Sequence, residues 1–453
     1  MDNNEYTGLW WSVDSPDNKH YGTLKINIDE GFALNIPMSS KTIVDQNALF
    51  NSNIILGLTN GDKLITLLDF FEYSATETIS NSSNINYIGN LVIIGNHYHN
   101  KEEILIDNIS FYHSHIEDWL RINNFEMIRE LDENHKFKKL SVGYMFPKIN
   151  EFNINENFKL SFDYNFHFNH EIAKSAFLEQ KTYIKIKSIN PIKFDIFLQN
   201  ILKTIVDFFS FTIGQSLNSP IYIKSKLNDQ SNDEINIYSY QYFNNWHEKF
   251  RRYNVLIDYI GISSNFESYL KNWVLKYELY KPVFILYFGV MHNSSIYLEH
   301  EFLSLVQALE AYHRLKYDQC AKYVNDLNFK DIYETFVNAI PTNLEKDFKT
   351  CLKEKFKYLN EYSLRKRIKE LTSQQNIMSF ITDNIEEFIK SVLTTRNYLT
   401  HYEKNIEKDA CSGYDLSILV NKIKILLEIH IMKEINIQDE DVIKYIRKKH
   451  QLR

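Results

Sequence analysis

The chain has 453 residues, 44% of them hydrophobic and 15% aromatic, with only 12 Gly and 7 Pro. That is too long for one compact core and too apolar for a disordered chain, so two or three packed domains are expected. The net charge of −7 hides an asymmetry: residues 1–250 carry 21 basic and 31 acidic side chains, residues 251–453 carry 30 and 27. The basic excess concentrates in 351–400, the region where a phosphate-rich partner would be favoured.

Cys320, Cys351 and Cys411 lie far apart and form no CxxC pair, which points to a reducing, cytoplasmic compartment. The N-terminal MDNNEYTGLWWSVD is acidic where a signal peptide is basic and then apolar. The longest apolar run, PVFILYFGVM (282–291), is too short to span a bilayer. The expectation is a cytoplasmic protein with no membrane partner.

In chain order, the first half reads as strands. YGTLKINID (21–29), KLSFDYNFHF (159–168) and TYIKIKS (182–188) alternate apolar and polar residues, the period of a half-buried sheet. NIILGL and NLVIIGN are apolar runs closed by Gly or Asn, and TNGD (59–62) and DEG (29–31) are turn signals. HIEDWLRINNFEM (115–127) has the composition of a short helix. FDIFLQNILKTIVDFFSFTIG has helical length and spacing, and a last strand pair is expected around PIYIKSK and INIYSYQYF.

From about residue 264 the period becomes helical. SNFESYLKNWVLKYELY follows a Ser/Asn cluster, and in YLEHEFLSLVQALEAYHRLKY the residues Phe302, Leu305, Val306, Leu309 and Tyr312 form an amphipathic stripe. Further helices fit 344–371, 384–401 and 414–435, before a basic tail, IRKKHQLR. The fold class is therefore α+β: a β-rich N-terminal domain over 1–263 and an all-α helical bundle over 264–453.

ITDNIEEFIKSVLTTRNYLTHY holds the most informative pattern. Asp383 with Glu386 three residues on has the spacing of a capping box. At 100° per residue, Ile385, Ile389, Val392, Arg396 and Leu399 share one stripe, so Arg396 stands where a core residue is called for. One explanation is a packed stem with a guanidinium that reaches water. The neighbours suggest another. With Arg396 at 0°, Thr400 falls near 40°, Asn397 near 100° and His401 near 140°. A guanidinium and an imidazole thus bracket an arc holding a hydroxyl and an amide. A phosphodiester suits that arc, which offers a forked donor and an acid–base group.

RNYLTH matches the Arg-x4-His signature, with Asn after the Arg, of the HEPN superfamily of small helical nuclease domains. Together with the preceding EFLSLVQALEAYHR helix and the N-terminal GLWWSVD, the chain resembles the ApeA-like HEPN proteins of bacterial phage defence over nearly its whole length. The resemblance implies that Arg396 and His401 are catalytic, that Asn397 assists, and that RNA is cleaved without a metal or other cofactor. It implies a homodimer or higher homo-oligomer through the HEPN domains, since one histidine cannot serve as both base and acid. It also implies abortive infection as the role, with transfer RNA one candidate target and a phage-derived trigger at the N-terminal domain. In this chemistry the RNA 2′-OH attacks its own phosphorus, giving 2′,3′-cyclic phosphate and 5′-hydroxyl ends; DNA is spared.

Other candidates have competing readings. Glu310, on the long helix near Gln307 and Arg314, is either an orienting partner of Arg396 or a solvated flank residue. His313 extends the apolar stripe and reads as a satisfied core histidine. HYH (97–99) and HSHIED (113–118), if on adjacent strands, would bring His97, His99, His113 and His115 to one face with Glu117 or Asp118, a metal-site pattern; a half-polar sheet face is the alternative. Trp10 and Trp11 read as packing residues. KEKFKYLNEYSLRKRIKEL (353–371) sets Lys and Arg on a helix with Tyr358 and Tyr362, either an RNA-backbone track or a solvated face. No P-loop, GxGxxG, HExxH or GxSxG pattern occurs. Two rival functions remain: a HEPN module that binds RNA or nucleotide without catalysis, and a metal-dependent enzyme centred on the HxH strands.

Overall fold

A computed structural model describes residues 4–27, 31–39, 50, 52–77, 82–217, 222–226, 234–239, 249–293, 295–317, 321–373 and 378–450. The chain divides into two compact units, Met1–Val274 and Leu275–Arg453, the first strand-rich and the second helical. The division falls inside the helix Phe266–Leu279, whereas the change of sequence period at 263/264 marks the start of that helical stretch. Cys320 and the first two residues of the DEG turn lie outside the described residues, as do residues 240–243 and 451–453.

In the first unit, alternation becomes an antiparallel sheet of fourteen strands among the described residues. The expected strands appear as His20–Asn27, Ile54–Thr59, Leu91–Ile94, Phe158–Glu171 and Ser175–Lys193. The late pair Tyr222–Lys226 and Glu234–Ser239 inserts between Leu105–Tyr112 and Leu91–Ile94, joining two parts of the sheet. GLWW lies on the first strand, Asn4–Ser12. Trp10 is fully buried and its indole N–H donates to the Gly22 carbonyl at 3.0 Å. Its six-membered ring lies where a Cβ on Gly57 would be, 2.3 Å away, so the pleat closes only with glycine there. Trp11 is also buried, and packing is the role of both.

Phe194–Ile213 is helical throughout, and it is long and apolar enough by composition to cross a membrane. It is instead mostly buried inside the first unit. Phe208, Phe209 and Phe211 pack against Trp119 and Trp273, and the Trp273 indole donates to the Thr204 carbonyl at 3.0 Å.

The HxH pairs are not on strands, which corrects that expectation. Gly95, at φ 121, ends the Leu91–Ile94 strand before His97. His113 caps a helix, Ser114–Leu120, accepting the His115 N–H. His97 contacts the Gly57 carbonyl at 2.8 Å, whereas His99 is exposed beside Glu103. Among the described residues, no three His, Cys, Asp or Glu side chains converge as metal ligands.

The second unit has eight principal helices among the described residues: α1 (Lys281–Met291), α2 (Leu298–Tyr317), α3 (Asp326–Asn338), α4 (Lys346–Lys357), α5 (Leu364–Leu371), α6 (Ile385–His401), α7 (Gly413–Glu434) and α8 (Asp439–His450). The stripe of α2 is buried as expected, with Ala308 and His313 added. It packs on α1, α5, α6 and α7 and so forms the axis of the bundle.

Two expectations are corrected here. The single helix over 344–371 is two, α4 and α5, because the buried Asn360 breaks it. Asn360 accepts the Val324 N–H at 2.9 Å and donates to the Val324 carbonyl at 2.8 Å, and Ser363 then caps α5. Tyr358 and Tyr362 therefore flank a turn and do not line one helical RNA track. The basic tail, likewise, is not a free tail. It ends α8, and Lys449 and His450 reach the buried Glu428 of α7 at 2.7 and 3.0 Å, where Tyr287 also donates at 2.9 Å. Burial pushes the Glu428 carboxyl up, but Lys449, His450 and Lys424 outweigh it and hold it well below the usual range.

Candidate active site

α6 carries the Arg-x4-His pattern. It starts one residue later than the sequence suggests: Asn384, in extended backbone, accepts the Glu387 N–H at 3.0 Å. Thr382 accepts the Asn384 N–H in turn, which fixes Asn384 as the cap in place of Asp383. Phe388, Ile389, Val392 and Thr395 are buried, and Ile385, Arg396 and Leu399 are half-buried. The apolar stripe thus drives the helix into the bundle for its first three turns and releases it at Arg396. Thr395 accepts the Cys411 N–H at 3.0 Å, tying the loop that leads to α7 back onto the motif helix.

Past Thr395 the helix surface turns polar. Arg396 donates from Nη1 to Asn397 Oδ1 at 3.2 Å, so the amide oxygen orients the guanidinium while the amide NH2 stays a donor. Thr400 donates to the Arg396 carbonyl at 2.7 Å, spending its proton on the helix itself. The hydroxyl therefore offers a passing anion only its acceptor side, less than the wheel suggested. His401 is exposed at the last helical position, and its ring makes no hydrogen bond among the described residues. Tyr402, at φ 52, ends the helix.

Arg396 and His401 are about 7.5 Å apart along the axis and about 140° apart around it. They border one solvent-facing end of α6. Both point outward, and one chain does not close a pocket around them. Sequence reasoning passed over Tyr398, which donates to Glu407 at 3.1 Å beside this end. Its phenol is pushed up by desolvation and by the Glu407 carboxylate. The signal was available in RNYLTHY, where Tyr398 and Tyr402 repeat at four residues and their rings meet at 5.6 Å.

Glu310 is engaged elsewhere. Its carboxylate accepts from Arg314 at 3.0 and 3.2 Å, and Arg314 also donates to Glu361 at 2.8 Å. His313 is fully buried, with Nε2 at 2.8 Å from Glu370 and Nδ1 at 3.1 Å from the Arg367 guanidinium. Because Arg367 can only donate, Nδ1 accepts and Nε2–H donates to Glu370. Burial and the adjacent Arg367 lower the pKa of this ring, outweighing Glu370. It is the satisfied core histidine expected, and the buried Arg367 was not foreseen.

Two family models match the chain. ApeA N-terminal domain 1 covers residues 5–273, and Apea-like HEPN covers residues 303–441, which includes Arg396, Asn397 and His401. No curated protein and no solved structure matches. The first model alone spans more than half of the sequence, and with the second it shows that the chain belongs to the ApeA family of HEPN nuclease-type defence proteins.

Proposed function

We propose that the chain is a metal-independent endoribonuclease of anti-phage defence, with Arg396 and His401 as its catalytic residues and Asn397 as the residue that positions Arg396. The observation that carries this reading is the solvent-facing end of α6, where an oriented guanidinium and an unengaged imidazole border one polar surface. An RNA phosphodiester can be cleaved there by its own 2′-OH. An imidazole removes the 2′ proton, the guanidinium stabilises charge on the phosphorane, and an acid protonates the departing 5′ oxygen. The bond from 2′ oxygen to phosphorus forms as the one to the 5′ oxygen breaks, so 2′,3′-cyclic phosphate and 5′-hydroxyl ends result.

One His401 supplies one of the two proton transfers, and a second copy of the chain supplies the other across a two-fold axis. Glu310, tied to Arg314, is a residue that shapes the bundle beneath the site. In this reading the protein acts in the cytoplasm, the first unit receives a phage-derived trigger, and transfer RNA is the target to test first.

The test incubates triggered full-length protein with transfer and total RNA, with and without EDTA. Cleavage survives chelation, leaves cyclic phosphate ends and spares DNA. It falls about 10²–10⁴-fold in His401→Ala or Arg396→Ala. Loss of activity on chelation, or undiminished cleavage by both variants, refutes the assignment.

A further inference from the structure

Residues 321–362 form an arm between α2 and α5. Its foot is clasped by a bridge pairing Lys322 with Glu361, by the Tyr362 N–H on the Ala321 carbonyl at 3.2 Å, and by the two Asn360 bonds to Val324. The arm proper is α3 and α4, which pack on each other, with Phe336 and Phe356 rings 5.3 Å apart. Neither helix has a single buried residue. That is unusual for two amphipathic helices of 13 and 12 residues, because helices this short depend on burying an apolar face.

The exposure has a direction. On α3, Phe329, Tyr333 and Val337 are half-buried, whereas Ile332 and Phe336 are 40% and 43% exposed. On α4, Leu352 and Phe356 are half-buried, whereas Phe348 and Cys351 are exposed. Each helix therefore keeps about half of its apolar arc for α3–α4 contact and leaves an adjoining half open, as in one half of a four-helix bundle.

We propose that the missing half is the same arm of a second copy, paired about a two-fold axis with α3 of each chain on α4 of the other. Charge selects that arrangement. α3 carries Asp326, Asp331 and Glu334 against Lys330, a net −2, and α4 carries five Lys against Asp347 and Glu354, a net +3. Setting α3 on α4 brings the acidic helix beside the basic one twice, and setting like on like does not. Lys355 stands within the open face of α4 and has no ion-pair partner among the described residues; it meets the acidic helix only in this pairing. Area agrees: seven large side chains on the arm are 40–81% exposed, and at about 180 Å² each they present about 700 Å², close to the ~800 Å² per partner of a stable interface.

The pairing supplies a surface for the dimer invoked above, but it stands or falls without RNA. Sedimentation of the full chain and its Phe336→Glu and Phe348→Lys variants reads it directly. Both sites are exposed, so circular dichroism stays at the wild-type level. Each single substitution weakens association about thirtyfold or more. The double variant regains about tenfold, because the carboxylate introduced on α3 of one chain then faces the ammonium introduced on α4 of the other. Amide exchange across 326–357 slows as concentration rises through the midpoint. Unchanged association in both single variants, a double variant weaker than either, or concentration-independent exchange overturns the arm pairing and leaves the nuclease reading intact. Variants that no longer associate yet cleave RNA at the wild-type rate support the arm and remove the shared-pocket step from the mechanism.

Discussion

Mild acid should destabilise the helical unit through one residue, His430 of α7. Its Nε2–H donates to the Leu371 carbonyl at 3.1 Å, and its ring lies 5.0 Å from Tyr312. Burial, with Lys316 and Lys433 close by, lowers its pKa from 6.5 to about 3, against smaller opposing effects from Leu371 and Glu434. The folded-state value lies below the unfolded one, so the unfolded chain takes up the proton first. The stabilisation is complete above 6.5 and is lost as pH falls toward about 3. Between about pH 7 and pH 5 the loss amounts to about 2 kcal/mol. Urea titrations of wild type and His430→Gln at the two pH values measure it. The wild type should lose about 2 kcal/mol more than the variant, whatever the variant costs at neutral pH. His313, also held low by burial, titrates in both proteins and cancels in the difference. Equal losses in the two proteins would show that His430 is hydrated or charged in the folded state, contrary to this account.

Two further outcomes are expected. Lys449→Met should cost about 3–5 kcal/mol, because it leaves the fully buried Glu428 without its cation. The double variant with Glu428→Gln should cost less than Lys449→Met alone, and additive losses in denaturant melts would refute the coupling. Gly57→Ala should destabilise the first unit by about 1–3 kcal/mol, because the new methyl meets the Trp10 ring at 2.3 Å. Trp10→Phe in the same chain should return part of that loss, and a Gly57→Ala melt equal to wild type would refute the contact.

Local pattern was enough for every element whose burial is decided by its own period. The alternation of TYIKIKS places Ile184 and Ile186 in the core, and the α2 stripe is buried as written. Arg396, Asn397 and His401 were legible because a polar arc at the end of an apolar helix is a local anomaly, and their exposure follows from the same wheel. The arm was not legible: Asn360 looks like any helix-interior amide until Val324 is brought opposite it, and that contact splits one expected helix into two. Glu428 and Lys449 carry the same lesson. A glutamate on an apolar helix and a lysine in a basic tail have no visible relation, and only the packing of α8 on α7 makes them one buried pair. Sequence alone determined which faces are apolar and which short stretch can address a phosphate, because both depend on residues a few positions apart. Tertiary structure decided which polar groups meet, because a buried charge or amide is tolerated only where a distant segment supplies its partner.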